Sequence, residues 1–389
     1  MKISQRIASS SPLATTAMHG RVEALKLAGQ DVIDFSIAIS HFPAPPDVLR
    51  AVETGLRQNA LPYTAVGGAH AVRDRLAQKV RSENRIDAEA GEIIVTNGAK
   101  QALYQALYVL TDPGDAVIVL RPHWPAYVTT AELLGLRPLL IDQPATLDAA
   151  FVAALPPARV LIINNPHNPT GKVYTRAELA LLRSWLADND CCAIVDEGYE
   201  KLIFDGEHLS LAACDDWRQL GIVTLYSASQ SHAMMGWRAG FAVAPAHVVS
   251  AMETLQGPIT AAASALTQIA VDAAFASPDP AAMRDDYRQR RDLLVLLFAG
   301  LPWLTMASPS SGPYLWADIS TLTRDTVAFA EALLEQQGVA IMPGEALGMA
   351  GWIRLGYIAD DIATMTEGAR RLIAFGATQA AACGLAMPG

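Results

Sequence analysis

The feature that most constrains the fold is a series of short apolar runs that lack polar alternation and end at polar or turn residues. They lie at residues 93–95, 116–120, 160–163, 193–195, 222–226 and 240–244. Strands that are apolar on both faces are typical of a sheet covered by helices on both sides. Helix-like segments, such as residues 101–110 and 176–187, lie between the runs. The pattern therefore predicts an α/β fold with a mainly parallel sheet.

The character of the chain changes near residue 285. A charged helix at 285–291 leads into an apolar helix, followed by a strand-like run at 314–319, a helix at 326–337 and a strand-like run at 352–355. We expect a large domain at residues 45–284. A smaller α+β domain is expected from residues 285–389 together with residues 1–44, which include an N-terminal arm.

Charge and hydropathy exclude several classes of partner. The net charge of -10 argues against a nucleic acid or an anionic membrane surface, which require basic patches. The most apolar run, residues 293–307, is interrupted by Gly300 and Pro302 and is shorter than the roughly 20 residues that span a bilayer. The N-terminal residues have no continuous apolar core, and the four cysteines have neither disulfide nor zinc spacing. We expect a cytoplasmic protein without a metal site.

Polar clusters follow the predicted strands, where parallel sheets place their ligand crevices. Residues 165–171 read Asn-Pro-His-Asn-Pro-Thr-Gly, a rigid turn that presents the amide of Asn168 in a defined direction. Residues 97–102 follow a strand and open a helix, whose first N–H groups are suited to a dianionic phosphate. The two clusters predict a ligand crevice at the strand ends, and the second of them is suited to an anionic group.

These motifs resemble those of the class I/II aminotransferases, pyridoxal-phosphate (PLP) enzymes of fold type I. Further matches follow in the same order: Trp124 in Trp-Pro-Ala-Tyr, Asp196 in Asp-Glu-Gly-Tyr, and Arg354 in Ile-Arg-Leu. In the segment at residues 227–240, Ser227, Ser229, Arg238 and Gly240 match a Ser-x-Ser-Lys pattern followed by Arg-x-Gly. The resemblance covers nearly the whole chain and implies the fold, the cofactor and the roles of individual residues.

The resemblance implies that PLP is held by residues from several of these motifs. Asp196 would pair with the pyridine nitrogen, Tyr199 and Asn168 would bind the 3-hydroxyl, and Trp124 would stack on the ring. Tyr63 would reach the phosphate of a neighbouring subunit, which implies a homodimer with shared active sites. The phosphate and its surroundings would be held by Gly98, Ala99, Lys100, Ser227, Ser229 and Arg238.

On the substrate side, the resemblance implies that Arg354 clamps the α-carboxylate of an amino acid. Residues 34–42 depart from the family pattern. Ala38 replaces a glycine beside the substrate, and Ile39-Ser40-His41 replaces Glu-Pro-Asp. This departure is open to two interpretations: drift in a loop, or an unusual amino-acid substrate with His41 as a contact or an extra acid/base.

A second departure is Gln230, which stands where the family has its catalytic lysine. That lysine forms a Schiff base with PLP and then moves the Cα proton of the substrate. A glutamine amide does neither, so this form is predicted to be inactive. An introduced lysine-to-glutamine change and a natural loss both remain open. The presence of the other cofactor residues favours the introduced change.

The sequence thus predicts a PLP enzyme that deprotonates Cα of an α-amino acid, with aminotransferase as the first choice. One alternative is a lyase or cyclase of specialised amino-acid metabolism, similar to the capreomycidine-forming cyclases. The other is a non-catalytic protein that binds PLP or its aldimine. Neither the amino-acid substrate nor the choice between transamination and elimination follows from the motifs.

Overall fold

The fold is described from a computed structural model, which describes residues 1–8, 13–277, 279–358 and 361–385. The strands are β1 Ile33–Asp34, β2 Ile93–Thr96, β3 Ala116–Arg121, β4 Arg137–Asp142, β5 Val160–Asn164, β6 Cys192–Asp196, β7 Ile222–Ser227, β8 Gly240–Val243, β9 Thr305–Met306, β10 Tyr314–Asp318, β11 Val339–Ala340, β12 Met342–Pro343 and β13 Trp352–Gly356. The α-helices are α1 Gln5–Ala8, α2 Ala14–Leu27, α3 Pro46–Arg57, α4 His70–Asn84, α5 Ala99–Leu110, α6 Pro125–Leu133, α7 Ala149–Ala153, α8 Arg176–Asp188, α9 Ala228–Ser231, α10 Ala246–Thr260, α11 Ala265–Ala276, α12 Ala281–Phe298, α13 Thr326–Gln337 and α14 Ile362–Ala382. Short 3₁₀ turns lie at Ala90–Glu92, Met235–Trp237 and Gly344–Leu347.

A seven-stranded sheet in the order β2-β8-β7-β6-β5-β3-β4 forms the centre of residues 45–284. Strand β8 runs antiparallel to its neighbours β2 and β7, and the remaining pairs are parallel. The prediction of an α/β fold with a mainly parallel sheet is confirmed.

The apolar runs are explained by burial on both faces of this sheet. In β3, Ile118 and Leu120 belong to one core cluster, whereas Val117 and Val119 belong to the cluster on the opposite face. Successive side chains of a strand point to opposite faces, so a sheet covered on both sides requires apolar residues at every position. Full burial of each such side chain contributes roughly 1.5–3 kcal/mol.

Strand β4 was not among the predicted strands. It pairs with β3 along its whole length at the edge of the sheet, and none of its side chains is fully buried. Its apolar run, Leu139-Leu140-Ile141, is short and follows Pro138, and proline within a sheet is confined mainly to edge strands and strand starts. This run was not recognised as a strand, although it is as long as the one at residues 93–95.

The remaining strands belong to smaller sheets in the N- and C-terminal parts of the chain. Strands β12, β13, β10 and β9 form an antiparallel sheet, and β1 pairs with β11 in parallel. Helices α12 and α14 pack with this region around a second core. The predicted helix at 326–337 has the same bounds as α13, and the charged and apolar segments after 285 are one helix, α12. The domain boundaries at residues 45 and 285 stay a prediction.

Helix α2 joins the N-terminal residues to this smaller region. Val22 is fully buried and packs with Val32, Leu334 and Ala340. No helix among the described residues has both the length and the apolarity needed to cross a membrane.

A buried network of charged groups lies between helix α4 and the residues that follow strand β6. The Lys79 ammonium pairs with Glu200, and Asn84 Nδ2 donates to the other oxygen of that carboxylate at 2.6 Å. The side chains of Lys79 and Glu200 are 3 % and 5 % exposed, so water screens their charges poorly. Next to them His208 Nε2 lies 3.1 Å from the Glu197 carboxylate. Two cations are therefore available to two buried carboxylates.

We predict that His208 makes stability depend on pH. Burial by itself lowers its pKa, but the neighbouring Glu197 carboxylate outweighs that effect and raises the pKa above the ordinary value. The folded state therefore holds the proton more tightly than the unfolded state. The stabilisation is complete below the unfolded pKa, about 6.5, and is lost as the pH rises through the folded pKa. Urea unfolding at a series of pH values should show this loss, and His208→Gln should lack it. If the free energy of unfolding changed with pH equally in both proteins, the assignment to His208 would be wrong.

Candidate active site

A cavity of about 450 Å³ lies at the carboxyl ends of the parallel strands. Its floor comes from residues at or just after strands β3, β5, β6 and β7, from helix α5 and from helix α6. Its other wall comes from α2, the loop after β1, and strands β10 and β13. The lining residues are Thr15, Thr16, His19, Ile37, Ala38, Ala99, Lys100, Trp124, Tyr127, Asn164, Asn168, Asp196, Gly198, Tyr199, Ser227, Ser229, Gln230, Met235, Arg238, Tyr314 and Arg354.

The acidic group of the cavity is Asp196, the last residue of β6. Its carboxylate accepts hydrogen bonds from the Tyr127 hydroxyl at 2.8 Å and from the Gly198 N–H at 3.1 Å. Burial raises the pKa of Asp196, and these two hydrogen bonds partly oppose the rise. A cation placed beside this carboxylate would favour its ionised form.

The cationic corner of the cavity lies at the N-terminus of α5, where Ala99 and Lys100 meet Arg238. Burial, and then the charge of Arg238, lower the pKa of Lys100. Arg238 adopts left-handed backbone (φ 54°) and donates Nη1 to the Met235 carbonyl at 2.8 Å. Unpaired N–H groups at a helix start, together with two cationic side chains, form a binding site for an anion.

Two glycines allow this corner to close. A Cβ at Gly98 would lie 2.4 Å from Nη2 of Arg238, and one at Gly240 would lie 2.8 Å from the Ala99 nitrogen. Gly98 also has a φ of 81°. The Arg-x-Gly spacing thus has a steric basis, because the glycine lets β8 pass close to the helix start.

A chain of hydrogen bonds crosses the cavity from β5 to β13. Asn164 Oδ1 accepts the backbone N–H of Asn168 at 2.7 Å. Asn168 Oδ1 in turn accepts Nη1 of Arg354 at 3.1 Å, and Nη2 of Arg354 donates to the Ser36 carbonyl at 3.0 Å. Arg354 is only 2 % exposed, and its Nε has no partner among the described residues. A buried guanidinium whose geometry is fixed in this way is suited to binding a carboxylate.

Two tyrosines complete this side of the cavity. The hydroxyls of Tyr199 and Tyr314 are 3.0 Å apart, and the Tyr314 ring centre lies 4.1 Å from the guanidinium carbon of Arg354. Burial raises the pKa of Tyr199 well above 10, so its hydroxyl stays protonated at neutral pH. Tyr199 can therefore donate a hydrogen bond but carries no charge.

Most of the predicted site residues line this one cavity. Gln230 does so from the short helix α9, and Trp124 does so from the residue before α6, edge-to-face with Tyr127. Three of them do not line it. Gly98 lies just outside and contacts Arg238, and Tyr63 is 88 % exposed beside a separate cleft at residues 260–266.

His41 is the third, and its position differs from the expectation that it contacts the substrate. Its Nδ1 lies 2.8 Å from the Ile358 carbonyl, and its Nε2 lies 3.5 Å from Asp286. The ring also packs against Phe42 and Tyr287. These contacts hold the imidazole against α12, while Ala38 of the same loop faces the cavity.

Sequence reasoning missed several lining residues. Thr15, Thr16 and His19 come from α2, which carries no recognisable motif and reaches the cavity only by packing on residues more than 300 positions away. Tyr127 belongs to the segment Trp-Pro-Ala-Tyr that was recognised, whereas Tyr314 lies in no motif. Their positions, three residues after Trp124 and at the start of a predicted strand, are the signals that point to them.

Known proteins with similar sequences and structures share this architecture. The family model described as aminotransferase class I and II matches residues 30–372. The aspartate aminotransferase of Geobacillus stearothermophilus is 32 % identical, over 96 % of this chain and 99 % of the relative. An arginine–pyruvate transaminase of Pseudomonas aeruginosa is 34 % identical, over 91 % and 92 %. The aspartate aminotransferase structure from Thermus thermophilus with maleate superposes with a TM-score of 0.91 at 30 % identity, covering 96 % of this chain and all of that one.

Proposed function

The chain belongs to the class I and II aminotransferase family, and from that premise we propose that it binds PLP and is built to transfer the amino group of an α-amino acid. The observation that carries the proposal is the arrangement of charge in the cavity. The buried carboxylate of Asp196 lines the same cavity as the cationic corner at Arg238. The guanidinium of Arg354, which is oriented to bind a carboxylate, also lines it. A cofactor with a phosphate and a basic ring, and a substrate with a carboxylate, require these three groups.

The residues of the cavity fit PLP. The corner formed by Ala99, Lys100, Ser227 and Arg238 would hold the phosphate, and the close approach at Gly98 leaves that corner compact. The volume of about 450 Å³ lies within the range of small-molecule sites, roughly 300–1,000 Å³. When bound, PLP supplies the electron sink that makes an amino-acid Cα proton acidic.

The ring of the cofactor would be held by groups on the sheet side. We assign Asp196 to the pyridine nitrogen, because Tyr127 and Gly198 fix the orientation of its carboxylate toward the cavity. Trp124 would cover one face of the ring. Asn168 and Tyr199 would bind the 3-oxygen. Tyr199 suits this role because it keeps its proton.

The lining also favours a class of amino acid. Among the described lining residues the cations are Lys100, Arg238 and Arg354, and the one carboxylate is Asp196, which we assign to the cofactor. A cationic substrate side chain would therefore have no remaining carboxylate of this chain to pair with. We propose an amino donor with an anionic or neutral side chain, as the name of the aspartate aminotransferase relatives suggests. The arginine donor named for another relative fits this lining less well.

We propose that Gln230 occupies the position of the Schiff-base lysine. Its amide carries no charge and accepts no proton near neutral pH, so this form binds and orients its ligands without moving the Cα proton. The function is tested by identifying products from the Gln230→Lys variant with PLP and single amino acids. A 2-oxo acid formed with a matching amino acceptor supports an aminotransferase. Loss of a side-chain group, or a cyclic product, would instead indicate a lyase or cyclase.

We predict that Arg354→Lys weakens substrate binding. A lysine keeps the charge but cannot make the planar two-nitrogen contact, and each lost charge-assisted hydrogen bond costs about 1.5–3 kcal/mol. In the Gln230→Lys background the KM for the amino donor should rise by about 10- to 150-fold. Steady-state kinetics measures this, with Arg370→Lys as the control because Arg370 lies exposed on α14, paired with Glu367. An unchanged KM would contradict the role of Arg354.

We also propose a homodimer with shared active sites, in keeping with the prediction from the sequence. Tyr63 is 88 % exposed and lines a cleft together with the apolar residues Leu61 and Leu266. An exposed aromatic ring with apolar neighbours is suited to a subunit interface. In this arrangement Tyr63 would reach the phosphate corner of the other subunit. We propose a cytoplasmic location for the dimer.

A further inference from the structure

Tyr314 connects two residues that bind different ligands in the proposed function. It begins strand β10 and is 7 % exposed. Its hydroxyl lies 3.0 Å from that of Tyr199, which we assign to the cofactor. Its ring centre lies 4.1 Å from the guanidinium carbon of Arg354, which we assign to the substrate. Tyr314 itself matches none of the motifs that identified the site.

The hydrogen bond between the two phenols has a direction that matters. Each hydroxyl carries one hydrogen, so only one of the two donates to the other. If Tyr199 donates to Tyr314, it has no hydrogen left for a ligand. If Tyr314 donates to Tyr199, the hydrogen of Tyr199 is directed into the cavity. No other hydrogen-bond partner is seen for the Tyr314 hydroxyl among the described residues.

Resting on the proposed function, we propose that Tyr314 is a positioning residue that donates its hydroxyl hydrogen to Tyr199, so that Tyr199 donates to the 3-oxygen of PLP. An anionic acceptor forms a stronger hydrogen bond than a neutral phenol, so a ligand with such an oxygen selects this direction. The bond from Tyr314 also polarises the Tyr199 hydroxyl and makes it a better donor.

The aromatic ring of Tyr314 contacts the guanidinium of Arg354. A guanidinium over an aromatic face is held by cation–π attraction, which is larger where water is excluded. Arg354 is already fixed on two sides by Asn168 and Ser36, and the ring supports it from a third. The hydroxyl thus acts on the cofactor side and the ring on the substrate side. Two substitutions separate these effects: Tyr314→Phe removes the hydroxyl alone, and Tyr314→Leu removes the hydroxyl and the ring.

The test uses the protein as it stands, with Gln230, and measures PLP binding by absorbance titration over a range of pH. Loss of one hydrogen bond of this kind should weaken PLP affinity by about two- to tenfold in Tyr314→Phe. The 3-oxygen of bound PLP should also ionise at a higher pH, which the absorbance band reports. In the Tyr199→Phe background the same change should have little further effect, because the bond it removes is already absent.

For the ring, the probe is succinate, a simple dicarboxylate, added to the PLP-loaded protein. Tyr314→Phe should leave succinate affinity unchanged, and Tyr314→Leu should weaken it by about two- to 30-fold. Tyr174→Phe is the matched control, because Tyr174 is a buried tyrosine that donates to Gln143 outside the cavity lining. It should alter neither readout.

The outcomes separate this inference from the proposed function. If the unaltered protein binds PLP but Tyr314→Phe shows the same affinity and the same pH profile, the role of Tyr314 is wrong and the proposed function stands. Equal losses in Tyr314→Phe with and without Tyr199 would also overturn it, because they would indicate a purely structural role. Failure of the unaltered protein to bind PLP would remove the proposed function itself.

Discussion

Replacing Gln230 with lysine should raise the rate of amino-group transfer by at least about 10²-fold. A positioned general base contributes roughly 10²- to 10⁴-fold to a proton transfer, and the amide of Gln230 contributes nothing of this kind. An amine at this position also provides a nucleophile for the cofactor carbonyl. Position 230 lines the cavity that holds Asp196 and Arg354, so the new amine would lie among the other groups of the site.

The measurement is formation of 2-oxo acid by the purified variant after reconstitution with PLP. Reduction with borohydride, followed by peptide mass analysis, should show PLP attached at position 230. Gln230→Arg is the control, because arginine brings a positive charge but stays protonated and does not act as a base. A variant that binds PLP yet gains neither turnover nor covalent attachment would refute the assignment of position 230 and favour a binding-only protein.

Replacing Lys79 with methionine should lower the free energy of unfolding by about 3–5 kcal/mol. The ammonium pairs with Glu200, and both side chains are almost fully buried. It also lies 4.5 Å from the centre of the Tyr226 ring, whose hydroxyl donates to Glu197. Removing the cation leaves the Glu200 carboxylate without its ion-pair partner, next to a second buried carboxylate.

Urea unfolding measures this loss, and two further variants identify its cause. Lys201→Met removes the partly exposed ion pair with Glu83 and should cost no more than about 1 kcal/mol. Adding Glu200→Leu to Lys79→Met should recover much of the stability, because it removes the unpaired charge. If the double variant were as unstable as Lys79→Met alone, lost packing rather than unpaired charge would be the cause.

The sheet and the residues at its strand ends were accessible from the sequence. Burial on both faces leaves a continuous apolar run, and the chain itself places a polar residue such as Asp196 directly after that run. Asn168, Ser227 and Gln230 also follow predicted strands, which placed them at the same edge of the sheet. In the structure they line one cavity. Edge strand β4 contains the short run Leu139-Leu140-Ile141 but was missed.

The other half of the cavity was decided by tertiary packing. Thr15, Thr16 and His19 line it because α2 docks on residues near 334 and 340, a contact that no local pattern encodes. In the loop after β1, Ala38 lines the cavity but His41 does not. The imidazole of His41 is held elsewhere by Ile358 and Asp286, which are distant in sequence.

The sequence by itself determined which chemical groups the protein has and most of the strands that carry them, in their order along the chain. Burial and turn formation act over a few residues, so both leave a local pattern. Tertiary structure alone decided which side chains face the cavity and which pair with each other, as Tyr314 does with Tyr199 and Arg354. These contacts depend on the free energy of packing between elements that are far apart in the chain. The residues adjacent in sequence do not determine that free energy.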